Sequence, residues 1–181
     1  YSTNALAAIS FAFPMVFLII SLGMGLAVAG SILVAQHTGA GQDGEAEYAA
    51  SQTVGFAAVA AVVLGAVAYF LVGDVLALLG ASEDVLPLAT AYMEIISLGI
   101  LFMFGFFVFI SLMRGYGDTI TPMLVMLGSV ALNVVLDPLL IFGVGPIPEL
   151  GVEGAAIATG FARGSAMVVG LWYMLRGAGG I

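Results

Sequence analysis

The sequence predicts an all-α integral membrane protein with five spanning helices. Three observations lead there. The chain has 181 residues, 62% of them hydrophobic and only 8% charged, where a soluble domain runs nearer a quarter charged. Its uncharged stretches are long: Tyr1 to Gln42 holds no formal charge, and Tyr48 to Gly73 adds 26 more such residues. A spanning helix needs roughly 20 mainly apolar residues. Between the stretches sit short segments rich in Gly, Pro and acids, the usual punctuation between helices.

The same composition narrows function. High hydrophobicity excludes a disordered chain. A net charge of -8, with 3 basic residues that are all Arg, excludes nucleic acid as a partner, which needs clustered basic side chains. Without cysteine there is no disulfide, no thiolate chemistry and no cysteine–zinc site. One histidine, His37, cannot make a His-rich metal site.

Taken in order, the helices are expected at about 5–35, 50–73, 87–113, 121–143 and 153–175. The first is long enough to tilt or bend and holds Pro14 near its start. Tyr1 follows no initiator Met or basic segment, so this helix is not expected to be a cleaved leader. The connection His37 to Glu47 contains Gly39, Gly41 and Gly44 with Asp43, Glu45 and Glu47. Asp74 to Pro87 follows, with Glu83 and Asp84, and then Arg114 to Thr121. Thr121-Pro122 reads as an N-cap with proline at the first helical position. The last connection, Gly143 to Glu153, contains Pro146 and Pro148. The acidic, lysine-free loops fit either a salt-adapted surface or compositional drift. Arg114 and Arg176 lie two spans apart and therefore on one side, which the positive-inside rule makes cytoplasmic. The N-terminus is then outside and the C-terminus inside, and at least one preceding span is expected in the parent protein.

Ionisable groups within a bilayer are costly and mark functional sites. Asn133 and Asp137, four residues apart, share one face of the fourth helix. Pro138 follows, lacks an N–H and crowds the Val134 carbonyl. A carboxylate, an amide and a freed carbonyl make a site for a proton or small cation such as Na⁺; the alternative is a structural hydrogen bond that steadies the proline kink. From Thr121, Asp137 lies about 24 Å along the helix. Arg163, ten residues into the last helix, needs a partner or a wet crevice, or else snorkels outward. Asp137 is a charge partner for it to be tested. Glu94 is expected near the outer interface beside Tyr92, in a structural role. Phe102 to Phe109 holds five phenylalanines; it suits binding of flat organic molecules but is read foremost as a lipid-facing surface.

Gly115-Tyr-Gly117-Asp118 has the G-x-G-D pattern of intramembrane aspartyl proteases. Such chemistry needs two facing carboxylates. Asp118 and Asp137 are 19 residues apart, about 28 Å along one helix, so the protease reading is set aside and no enzyme is expected.

Several segments occur together in order: Ala7-Ala-Ile-Ser10, Leu33-Val-Ala-Gln36-His-Thr-Gly39-Ala-Gly41, Leu112-Met-Arg114-Gly-Tyr-Gly117-Asp118-Thr-Ile-Thr-Pro122, Asn133-Val-Val-Leu-Asp137-Pro138 and Gly151-Val-Glu-Gly154-Ala-Ala-Ile-Ala-Thr159. With these the chain resembles the multidrug and toxic compound extrusion (MATE) transporters, in the prokaryotic branch that includes the DNA-damage-inducible F-type proteins. The resemblance covers essentially all of residues 1–181. It implies helices 2–6 of the six-helix N-terminal lobe of a twelve-helix transporter, whose two lobes are related by a pseudo-twofold axis. It implies export of organic cations and drugs across the cell membrane in exchange for H⁺ or Na⁺, with no other cofactor. The partners are then small organic cations, the bilayer and the remaining half of the transporter. Asn133 and Asp137 match the family's fifth-helix cation-coupling pair, and Thr159 a sixth-helix threonine beside it. Ile110 and Ser111 stand where some members have a fourth-helix asparagine, and Arg163 belongs to no family motif. The runner-up, a lipid-linked oligosaccharide flippase of the same superfamily, would want a basic crevice, for which Arg163 alone is available. A membrane scaffold or receptor subunit is the non-transport alternative.

Overall fold

A computed structural model of the chain describes residues 3–143 and 148–175. Five helices follow one another: α1 Thr3–Gly39, α2 Asp43–Leu78, α3 Leu86–Gly115, α4 Ile120–Phe142 and α5 Gly151–Leu175. Each is long and apolar enough to cross a membrane.

The expected number of helices is present, but their ends differ. α2 begins at Asp43, not near residue 50, and runs through Asp74 to Leu78. The apolar stretch marks where a helix meets lipid, whereas the helix itself continues into the interface. Asp43 and Glu45 fall in its first turn, where carboxylates oppose the positive end of the helix dipole. α1 and α4 continue without a break through Pro14 and Pro138. Pro146 and Arg176 lie outside the described residues.

α1, α2 and α3 end in one way. The Gly41, Gly80 and Gly117 backbones have φ of 71°, 86° and 92°. At each, the glycine N–H and the next N–H reach back to carbonyls of the last turn, as Gly117 to Arg114 and Asp118 to Met113. This is the Schellman ending, which places glycine at the left-handed position. The chain then reverses within a few residues.

Asp118, not Thr121, caps α4. Its Oδ1 accepts the backbone N–H groups of Ile120 and Thr121, each at 3.0 Å. The α3 ending turns the Asp118 carboxylate onto the next helix start, and Pro122 falls within the first turn, where a missing N–H costs nothing. The Thr121 hydroxyl and N–H hold the Asp118 carboxyl below the usual carboxylate range. A carboxyl with a depressed folded-state pKa stabilises the fold fully above its unfolded pKa. That contribution fades as pH falls through the lower folded value. Asp118→Ala is expected to cost about 1 kcal/mol at pH 7 in thermal unfolding of the detergent-solubilised parent protein. The gap from wild type should narrow below the unfolded carboxylate pKa.

α3 is the hub. Half of its apolar segment is buried, against 6% for α4. α3 packs on α1, α2 and α5, while α4 packs mainly on α5. Phe104, Phe106 and Phe109 are fully buried, so the Phe102–Phe109 run builds the core and is not chiefly a lipid-facing surface; of its five phenylalanines Phe107 is half-buried and Phe102 is exposed, at 39%. Space for the rings comes from glycines on the neighbours. A Cβ on Gly23 of α1 would stand 2.6 Å from the Phe104 ring, and one on Gly170 of α5 would stand 2.5 Å from Phe109. Small residues let spanning helices close up in this manner.

Candidate functional site

The candidate residues lie on α4 and α5, which are antiparallel neighbours. Two contacts set their register. The Leu140 carbonyl, left without an intrahelical donor at the end of α4, accepts the Leu150 N–H at 3.0 Å. Beside it sits Gly154, whose Cα leaves room for that same carbonyl. Further along, the Ser129 hydroxyl donates to the Ala162 carbonyl at 3.1 Å in a buried contact. Thus Leu140 meets Gly154 and Ser129 meets Ala162, which places Asp137 abreast of about residue 156.

Asn133 and Asp137 are brought together. The Asn133 Nδ2 donates to Asp137 Oδ1 at 3.1 Å, and both side chains are part-buried. The second carboxylate oxygen and the Asn133 carbonyl oxygen keep acceptor capacity. Pro138 gives the Val134 carbonyl no N–H to accept, as its covalent structure requires. These hard oxygens on one helix face suit a proton or an alkali cation. Among the described residues no cluster of three or more Asp, Glu or His side chains forms.

Thr159 is not joined to that pair. Its hydroxyl donates to the Ala155 carbonyl of its own helix at 3.0 Å. Nor is Arg163. Its guanidinium lies 4.6 Å from the centre of the Phe106 ring on α3, and no ion pair links it to Asp137. The sequence placed both charges within the membrane but could not show that α3 offers an aromatic face. Ser129 was missed, although Ser129, Asn133 and Asp137 at four-residue spacing form a visible stripe. Ser129→Ala is expected to cost about 0.6 kcal/mol in thermal unfolding of the parent, because the Ala162 carbonyl keeps its helical partner. Glu94 is part-buried in α3. Asp118 caps α4 at its first residues, 19 positions from Asp137, so the two cannot face each other as protease carboxylates.

Two of the open grooves on the described surface lie elsewhere. One of about 660 Å³ runs between α3 and α5 past Gly99, Phe102, Gly160 and Gly164 and is apolar. The other, of about 700 Å³ between α1 and α2, includes His37, Glu45 and Gln52. Neither includes Asn133, Asp137, Thr159 or Arg163.

Comparison with known proteins settles the lineage. The MatE family model matches residues 1–139. The chain belongs to the MatE family. It is 33% identical over 173 residues to a probable multidrug resistance protein, YoeA, of Bacillus subtilis, covering 96% of this chain and 37% of that protein. It is 36% identical over 160 residues to a protein named FAD transporter from Shewanella oneidensis, covering 88% and 35%. Among solved structures, an outward-facing multidrug resistance MATE family transporter superposes with a TM-score of 0.90 at 27% identity, covering 96% and 38%. This MatE chain therefore spans little more than a third of the length of these relatives. Its five apolar helices and its family make it a multi-pass membrane protein.

Proposed function

We propose that this chain is helices 2–6 of the N-terminal lobe of a cation-coupled exporter, in which Asp137 with Asn133 loads the coupling ion. The observation that carries the reading is the Asn133–Asp137 hydrogen bond on a spanning helix of a MatE chain. A part-buried carboxylate in so apolar a span has a cost that transport would explain. Thr159, on the neighbouring helix, is a further oxygen that a small rotation of its hydroxyl would free. The partner lobe comes from the remaining length of the parent, and small organic cations are the substrates by analogy with the relatives named for multidrug resistance. Arg114 and the C-terminal end of the chain lie on the cytoplasmic side. In operation, a cation or proton entering from outside binds Asp137, and binding favours the state that releases substrate outward. Coupling arises only because the ion has different affinity for the two states.

The test is efflux of a fluorescent organic cation from vesicles holding the full-length parent, under a pH gradient and a Na⁺ gradient imposed separately. Efflux driven by one gradient names the ion. Silence under both, with movement of a lipid-linked sugar instead, would transfer the reading to the flippase.

A further inference from the structure

We propose that Arg163 is a resident positive charge that weakens cation binding at Asp137 and so keeps the bound ion releasable. This inference rests on the cation-loading role proposed for Asp137. α5 meets α4 through Gly154 and Ala162. It meets α3 through Gly164 against Phe102, Met167 against Gly105 and Gly170 against Phe109. Thr159 and Arg163, one turn apart, fall on the face of α5 between those two contact lines. On α4, Asn133 and Asp137 follow Ser129 by one and two turns, on the flank away from the groove that Gly128 and Leu132 line. Both pairs therefore lie on the same side of the α4–α5 contact.

Asp137 lies abreast of about residue 156, seven residues short of Arg163, or roughly 10 Å along the axis. The other charged groups of α5 and of the two helices packed on it are remote from this pair. Glu153 is in the first turn of α5, Glu94 lies twelve residues before Phe106 and Arg114 closes α3. Arg163 rests on the quadrupole of Phe106 at 4.6 Å, a partner that steadies a cation without cancelling its charge. A full charge thus stays within reach of Asp137. With roughly 10 Å along the axis and about 8–10 Å between neighbouring helix axes, the separation is about 13 Å; at an effective dielectric near 20 the charge opposes a second cation by on the order of tenfold in affinity. A transport site must bind well enough to load and weakly enough to leave; Arg163 sets the second condition.

The experiment uses the purified full-length parent with Arg163→Gln and Arg163→Lys. Cation binding is read as the rise in thermal midpoint with NaCl at fixed pH, and separately with pH in Na⁺-free buffer; efflux is measured in parallel. Arg163→Gln should bind the Asp137-dependent cation about tenfold more tightly and slow efflux at saturating cation. Arg163→Lys should behave as wild type. An unchanged midpoint concentration in Arg163→Gln, or equal shifts in both variants, overturns the inference. If Arg163→Gln does not fold, Arg163→Lys and Phe106→Leu decide: a retained charge must retain the wild-type affinity in each. Tighter binding in Arg163→Gln without any coupled efflux in wild type would sink the exporter reading and leave this one standing. Absence of Asp137-dependent binding of either ion would end both.

Discussion

Asp137→Asn is expected to leave the parent protein folded and to abolish gradient-driven efflux. The replacement is nearly isosteric, and the Asn133 Nδ2 can still donate to the new side-chain carbonyl. The 3.1 Å contact therefore survives, and thermal unfolding in detergent should move little. What disappears is the charge. A neutral amide neither takes up a proton nor balances Na⁺, so the loaded and empty states no longer differ in ion affinity. Without that difference a gradient cannot shift the conformational equilibrium. Downhill leakage of substrate should persist while uphill movement falls to background. Full coupled efflux in the variant would refute the assignment and leave the Asn133–Asp137 bond a purely structural brace.

Gly154→Val is expected to be the most damaging single change at the α4–α5 contact. An added Cβ at Gly154 would stand 2.5 Å from the Leu140 carbonyl oxygen and 2.7 Å from its carbon. Both are backbone atoms, held by the Leu150 N–H at 3.0 Å, so no side chain can swing aside. The end of α4 must move away from α5. Overpacking against a fixed neighbour costs roughly 1–3 kcal/mol, and a branched residue belongs at the upper end. Asp137 lies one turn from Leu140, so ion affinity should fall together with the thermal midpoint. Gly160→Ala is the control: nothing lies within 4 Å of its Cβ position, and alanine favours helix by about 1 kcal/mol over glycine. A midpoint for Gly154→Val equal to that of Gly160→Ala would show that α4 yields at no cost.

The sequence by itself determined the membrane class, the five helices in order and the Asn133–Asp137 pair. Each is local: a run of apolar residues long enough to cross hydrocarbon, or a four-residue spacing along one helix. It also held the segments that identify the family. It did not determine which faces of those helices meet protein and which meet lipid. In a soluble helix polar residues mark the outside, but here both environments are apolar, so Phe104 and Phe106 look no different in the sequence from the exposed Phe56 and Phe70. Only the tertiary structure made α3 the hub and turned its phenylalanines inward. Side-chain partners across helices were hidden for the same reason. Arg163 on Phe106 and Ser129 on the Ala162 carbonyl depend on crossing register, which the positions of Gly154 and its fellow glycines set by close approach. The caps lay between these cases. Gly117 and Asp118 were legible as a turn, but the choice of Asp118 over Thr121 to cap α4 followed from how the end of α3 aims the chain.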